Sequence, residues 1–203
     1  MPGHGRNWRL RPEVAIVSSV DQLAGVVADI HGEFAIFGHS LGAYLGLALA
    51  ARLEQDSRSP QCATLFVSAN AAPECAVLPF SGSPLRISDE EIFEIARRSG
   101  GGVGPEYTQN EQFRGRIANL LRADFSLSHT FLEASRNIVT EADIIACHGT
   151  RDIFTDSQIE AWAHHTTGGF KIHRFAGGHF YLEDEAEALS KVVAEAVLKA
   201  TAR

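Results

Sequence analysis

Positive charge is in short supply in this chain. Its 203 residues carry 18 Lys and Arg against 25 Asp and Glu, a net charge of −7. That deficit argues against general nucleic-acid binding, which needs a basic face. Cysteine is scarce too. Cys62, Cys75 and Cys147 are odd in number and stand at no metal-type spacing, so they read as reduced packing thiols. No apolar run is long enough to span a bilayer. The opening Met1-Pro2-Gly3-His4-Gly5-Arg6 has no apolar signal-peptide core. On these absences the expected location is the cytoplasm. Repeats, low-complexity tracts and the phosphate-binding pattern Gly-x-Gly-x-x-Gly are also missing. What is present is 45% hydrophobic residues, which suits one α/β domain over residues 1–203.

The stretch richest in chemistry is Gly38-His39-Ser40-Leu41-Gly42. It matches the Gly-x-Ser-x-Gly nucleophile elbow, a serine on a sharp strand-to-helix turn. The glycines are expected to allow the tight turn and leave room around Ser40. A bare match arises by chance in about one chain in ten of this length. The flanks raise its value. Glu33 to Phe37 is a short apolar run that reads as a strand, and Ala43 to Arg52 is an Ala- and Leu-rich helix. A serine alone is a poor nucleophile, so a base and an acid are required further along.

In α/β-hydrolases the chain order is Ser, then Asp or Glu, then His. Asp143 to Gly149 reads as an apolar strand ending in a turn, and Asp152 follows it. Phe170 to Phe175 alternates like a half-buried strand and runs into the Gly-rich Ala176-Gly177-Gly178-His179-Phe180. Ser40, Asp152 and His179 all fall beyond the carboxyl ends of strands, where open α/β sheets gather their reactive groups. Asp143 and Asp156 compete for the acid. His148, also after a strand, competes with His179 among nine histidines. His164 and His165 read as exposed. His39 is expected to point away from the triad and to pack or hydrogen-bond locally.

The remaining order is legible. Ser19 to Ile30 reads as a helix with Val20, Leu23, Val26 and Val27 on one face, and Asp21 and Gln22 in its first turn. Cys62 to Ser68 is an apolar strand. Glu183-Asp184-Glu185 opens a final helix to Ala200, whose Leu189, Val192, Val193, Ala196, Val197 and Leu198 are able to pack on the sheet. Residues 72–136 interrupt the alternation. Ser88-Asp89-Glu90-Glu91 is a capping-box pattern that starts a helix ending near Arg98. Two more helices are predicted, about Asn110 to Asp124 and Leu127 to Ser135. This reads as a helical lid inserted over Ser40, with Ile92, Phe93, Ile95, Phe113, Leu120, Leu121, Phe125 and Phe131 on its apolar faces. Gly100 to Gly102 and Pro105 suggest a mobile gate.

These motifs together resemble the type II thioesterases that serve nonribosomal peptide and polyketide synthases. The resemblance covers nearly the whole chain. Met1 to Arg6 resembles the family's Leu-Pro-Gly-Arg-Gly segment. Phe37 to Ala43 matches its elbow, with Leu41 where Met is more usual, and Leu65 to Pro73 matches the next strand and the Ala-Pro that opens the lid. Leu120-Leu121-Arg122-Ala123-Asp124-Phe125 resembles the lid signature, and Gly177 to Leu182 the closing histidine motif. The resemblance implies an α/β-hydrolase fold, a mostly parallel sheet flanked by helices with an inserted lid. It implies a serine thioesterase with Ser40 as nucleophile, His179 as base, Asp152 as acid and the Leu41 N–H in the oxyanion hole. The substrate would be an acyl or aminoacyl group on the phosphopantetheine arm of an acyl or peptidyl carrier protein. The role would be editing of stalled carriers, with no cofactor or metal of the enzyme's own.

One departure stands out. In the family a sizeable portion precedes the Pro-Gly segment and supplies early strands and a second oxyanion N–H. The expectation is therefore a longer reading frame, an exposed Glu33–Phe37 edge, and a rate about a hundred- to a thousandfold lower. Three other readings stay open: a product-releasing thioesterase domain, an esterase of free small esters, and a non-catalytic carrier-binding protein.

Overall fold

The alternation of apolar strands and Ala/Leu-rich segments builds a parallel sheet, seen in a computed structural model that describes residues 4–7, 9–100, 104 and 109–200. The strands are β1 (Glu33–His39), β2 (Gln61–Ser68), β3 (Asp143–Gly149) and β4 (Phe170–Phe175), in spatial order β1-β2-β3-β4. All three pairings are parallel. A parallel pair needs a crossover, and the helices supply it. They are α1 (Ile16–Val27), α2 (Leu41–Leu53), α3 (Asp89–Arg98), α4 (Glu111–Ser135), α5 (Asp156–Glu160), α6 (Tyr181–Asp184) and α7 (Ala186–Ala200). Among the described residues β1 is a sheet edge, with Phe37 41% exposed.

The period-2 alternation of the strands sorts the core into two layers. Leu65, Val67, Ile144 and Ala146 face one layer, shared with Ile16, the buried residues of α2, and Trp162. Phe66, Ile145 and Cys147 face the other, closed by Leu189, Val192, Val193 and Ala196 of α7. Helix α2 lies close on the sheet at Gly46, where a Cβ would come within 2.7 Å of the Leu65 side chain.

Several boundaries differ from expectation. Helix α1 begins at Ile16, three residues before the predicted start. Asp21 therefore sits in mid-helix, 3.6 Å from Arg52, and Val26 is 78% exposed. The two helices predicted across 110–135 are one, because no Gly or Pro lies between Asp124 and Leu127. Asn110 caps it, accepting from the Phe113 N–H at 3.3 Å. Phe113 is 54% exposed rather than apolar lining. The final helix breaks at Glu185 into α6 and α7, and Val197 and Leu198 lie on the exposed side. Ser88 does cap α3, accepting from the Glu91 N–H at 3.2 Å.

The chain leaves β2 and returns at β3 through α3 and α4. Arg122 ties these two helices. Its guanidinium donates to the Ile87 carbonyl at 2.7 Å and to Asn119 at 3.0 Å, and pairs with Asp89. Asp124 takes the His4 imidazole at 3.0 Å, and Phe125 meets Phe80 edge-on. The second half of α4 enters the main core through Leu127, Leu132 and Phe131, the last stacked on Tyr44 at 4.6 Å. Gly101, Gly102 and Pro105, on which the gate expectation rests in part, lie outside the described residues, as do Met1, Pro2 and Gly3.

Candidate active site

Ser40 stands between β1 and α2 with φ 52° and ψ −121°, a conformation few non-glycine residues adopt. Such strain persists only where the surroundings fix it. Here the Ser40 N–H donates to the Ser68 carbonyl at 2.7 Å. The Ser40 carbonyl accepts from the Ala43 N–H and from the Asn70 amide, each at 2.9 Å. Asn70 is itself held by the buried Trp162 indole, whose N–H donates to the Asn70 carbonyl at 2.9 Å. The two motif glycines do different work. A Cβ on Gly38 would lie 2.1 Å from the Gly42 carbonyl oxygen, whereas a Cβ on Gly42 would meet nothing within 4 Å. Only Gly38 is sterically required. Leu41 opens the 13-residue α2, so its N–H lies at the positive end of the helix dipole.

Asp152 and His179 are brought together by backbone contact. A Cβ on Gly149 would fall 2.3 Å from the Gly178 carbonyl oxygen, so the end of β3 and the histidine loop touch directly. The Arg151 N–H donates to the Gly177 carbonyl at 2.8 Å. Asp152 then lies with its side chain 0% exposed, and its Oδ1 is 3.2 Å from Nδ1 of His179, which is 5% exposed. Oδ1 also accepts from the Ile153 N–H at 2.7 Å. A proton on Nδ1 shared with Asp152 leaves the Nε2 lone pair of His179 for a reacting group. The elbow is adjacent: the ring of His39, next to Ser40 in sequence, is 5.1 Å from that of His179.

The competitors fall elsewhere. Asp143 starts β3 at the opposite end of the sheet and accepts from the Gly169 N–H at 2.6 Å. Asp156 pairs with Arg174 at 3.2 Å. His148 is buried and comes only within 3.6 Å of Asp156, with no hydrogen-bond partner on either ring nitrogen among the described residues. Burial pushes its pKa down, opposed by Asp156. His164 is exposed and meets Glu74 at 2.6 Å, but His165 is buried and bonds the Ile138 carbonyl at 2.7 Å. That corrects the expectation of two exposed histidines, since the apolar Trp162 beside His165 draws it inward. His39 does bond locally, to Ser68 Oγ at 3.0 Å, yet it does not point away from His179.

Sequence reasoning missed Asn70 and Ser68. Ser68 ends β2 and Asn70 lies two residues further on, so the strand-end rule that located the other three would have flagged both. A cavity of about 400 Å³ lies at the other end of the sheet, lined in part by Glu33, Glu54, Asp56 and Asp143, away from these groups.

A strand-end serine elbow, a buried Asp–His pair and a parallel sheet with helices inserted before its third strand define an α/β-hydrolase fold. A family model described as "Thioesterase domain" matches residues 2–197, and the chain belongs to that family. It is 29% identical over 171 residues to thioesterase PikA5 of Streptomyces venezuelae, covering 82% of this chain and 58% of that protein. It is 29% identical over 186 residues to thioesterase TesA of Mycobacterium marinum, covering 89% of this chain and 71% of that one. Among solved structures it is similar to the type II thioesterase BorB from the borrelidin biosynthetic cluster, with TM-score 0.76 and 30% identity, covering 96% of this chain and 78% of BorB. The chain thus spans less than two thirds of PikA5. No helix among the described residues is long and apolar enough to cross a membrane.

Proposed function

We propose that this chain is a serine thioesterase that hydrolyses acyl or aminoacyl thioesters on the phosphopantetheine arm of carrier proteins. The observation that carries the reading is the 3.2 Å contact between His179 Nδ1 and the buried carboxylate of Asp152, beside the Ser40 elbow. His179 Nε2 takes the Ser40 hydroxyl proton as Oγ attacks the thioester carbonyl. Asp152 orients the imidazole and stabilises its charged form. The Leu41 N–H donates to the developing oxyanion. As the tetrahedral intermediate collapses, the C–S bond breaks and the imidazolium gives its proton to the leaving thiol. Water then attacks acyl-Ser40, His179 takes its proton, and that proton returns to Ser40 Oγ as the acid leaves.

The kinship with BorB, from a biosynthetic cluster, supports an editing role that clears stalled carriers. On this reading the phosphopantetheine belongs to the carrier, the enzyme brings no metal or cofactor, the α3–α4 segment acts as a lid, and the protein works in the cytoplasm. Time-resolved mass spectrometry of an acetyl-phosphopantetheinyl carrier, with this chain or its Ser40→Ala variant, tests it. Loss of acetyl only with Ser40 intact is expected. Turnover of free esters in preference to the carrier would make it an esterase, and binding without Ser40-dependent turnover would make it a carrier-binding protein.

A further inference from the structure

A buried polar chain runs behind His179. The Ser68 hydroxyl sits between two partners, 3.0 Å from His39 Nδ1 and 2.8 Å from the Tyr181 hydroxyl. Ser68 is 0% exposed and Tyr181 is buried. The three residues come from three different places: the last residue of β1, the last residue of β2, and the first turn after the histidine loop. Tyr181 follows His179 by two residues, and His39 packs its ring on His179 at 5.1 Å. The contacts therefore close a loop: His179 to Tyr181 through the backbone, Tyr181 to Ser68 to His39 through hydrogen bonds, and His39 back to His179 through ring contact.

Both ends of this loop are fixed. The Tyr181 ring stacks on Phe175 at 4.9 Å, and Gly177, at φ 120°, passes so close that a Cβ would lie 3.1 Å from the Tyr181 Cβ. Phe180 closes over His39 and His179 at 5.5 and 5.2 Å. Burial, with His179 nearby, lowers the His39 pKa to about 4, so His39 is neutral near pH 7 and adds no charge beside the base. Hydroxyls buried in an apolar layer need partners, and here they satisfy one another.

We propose that His39, Ser68 and Tyr181 form a brace that positions the His179 imidazole against the Ser40 elbow. They are positioning residues, acting through His179 rather than on the substrate. The proposal rests on the hydrolase reading for its kinetic consequence, since a base displaced by a fraction of an ångström loses its near-attack geometry.

The test uses the full chain, the acetyl thioester of N-acetylcysteamine as substrate, and Tyr181→Phe, which removes one oxygen and keeps the ring. The expected result is a kcat about tenfold lower with KM changed less than about twofold. Ser68→Ala should match it. The double variant should be no slower than the worse single, because the members act as a unit. Ser68→Thr, which keeps the hydroxyl, should recover much of the rate. A second readout is the long-range imidazole NMR spectrum of histidine-labelled protein, in which Tyr181→Phe should broaden or double the His179 ring signals. Unchanged kcat together with unchanged His179 signals would overturn the brace. Absence of Ser40-dependent turnover in the wild type would instead remove the hydrolase reading, and the ring signals would still decide the brace.

Discussion

The carboxyl end of the sheet and the α3–α4 segment are held together by different physics. At the sheet end, backbone meets backbone. Gly38 lies against Gly42, Gly149 against Gly178, and the side chains of Asp152 and Ser68 are fully buried. In the α3–α4 segment, long side chains reach across partly exposed surface: Arg122 to Asp89, Arg114 to Glu90, and His4 to Asp124. The first arrangement fixes atoms within fractions of an ångström. The second orients helices rather than single atoms, because exposed ion pairs contribute little individually and are screened by salt, while the buried Ile92, Ile95, Leu127 and Phe131 anchor the segment. On the proposed reading, the reacting groups need the first kind of hold.

The largest expected effect comes from the sheet end. Asp152→Asn should keep the fold and lower kcat by about 10⁴-fold, since the amide favours the wrong imidazole tautomer. Steady-state thioester hydrolysis reads it, and a loss under tenfold would show that Asp152 does not orient the base.

The glycines sharpen the contrast. Gly38→Ala should destabilise by more than about 3 kcal/mol in urea unfolding, because its Cβ would strike backbone that cannot rotate away. Gly42→Ala, with open space around it, should be neutral or stabilising by up to about 1 kcal/mol through helix propensity. Equal costs at the two positions would break the account of the elbow.

In the α3–α4 segment, Arg122→Ala should cost about 1–2 kcal/mol and raise hydrogen exchange in α3 while leaving exchange near Ser40 unchanged. Spread of the effect into β1 would mean the two regions are not separately held.

The last expected effect is on acid stability. The His39 pKa falls from 6.5 to about 4 in the fold, so between those values the unfolded chain binds more protons. Stability should therefore decline as pH drops from about 6.5 toward 4. His148 shifts in the same direction for the same reason, burial. Thermal unfolding across this range should show a shallower decline for His148→Phe than for wild type.

The same contrast explains what the sequence could tell. The placement of Ser40, Asp152 and His179 beyond strand ends was legible because the apolar alternation of β1, β3 and β4 is strong, and strand ends converge. All four strands were readable to within two residues for that reason. The helices were less so. The single α4 reads as two because its exposed and core halves carry different patterns, with Phe113 at the surface and Phe131 fully buried. Gly38 and Gly42 look equivalent as letters, and only the close approach of the chain to Gly38 separates them. The His39–Ser68–Tyr181 contacts join residues up to 113 apart through hydrogen bonds 2.8 and 3.0 Å long, which local patterning does not encode.

The central claim is that Ser40 is the nucleophile and His179, not His148, its base. Incubating the chain with a fluorophosphonate probe and locating the adduct by tandem mass spectrometry tests this most directly. The account predicts phosphonylation of Ser40 alone, lost in His179→Ala and retained in His148→Ala. An adduct on another serine, or labelling of Ser40 that depends on His148 and not on His179, would contradict it.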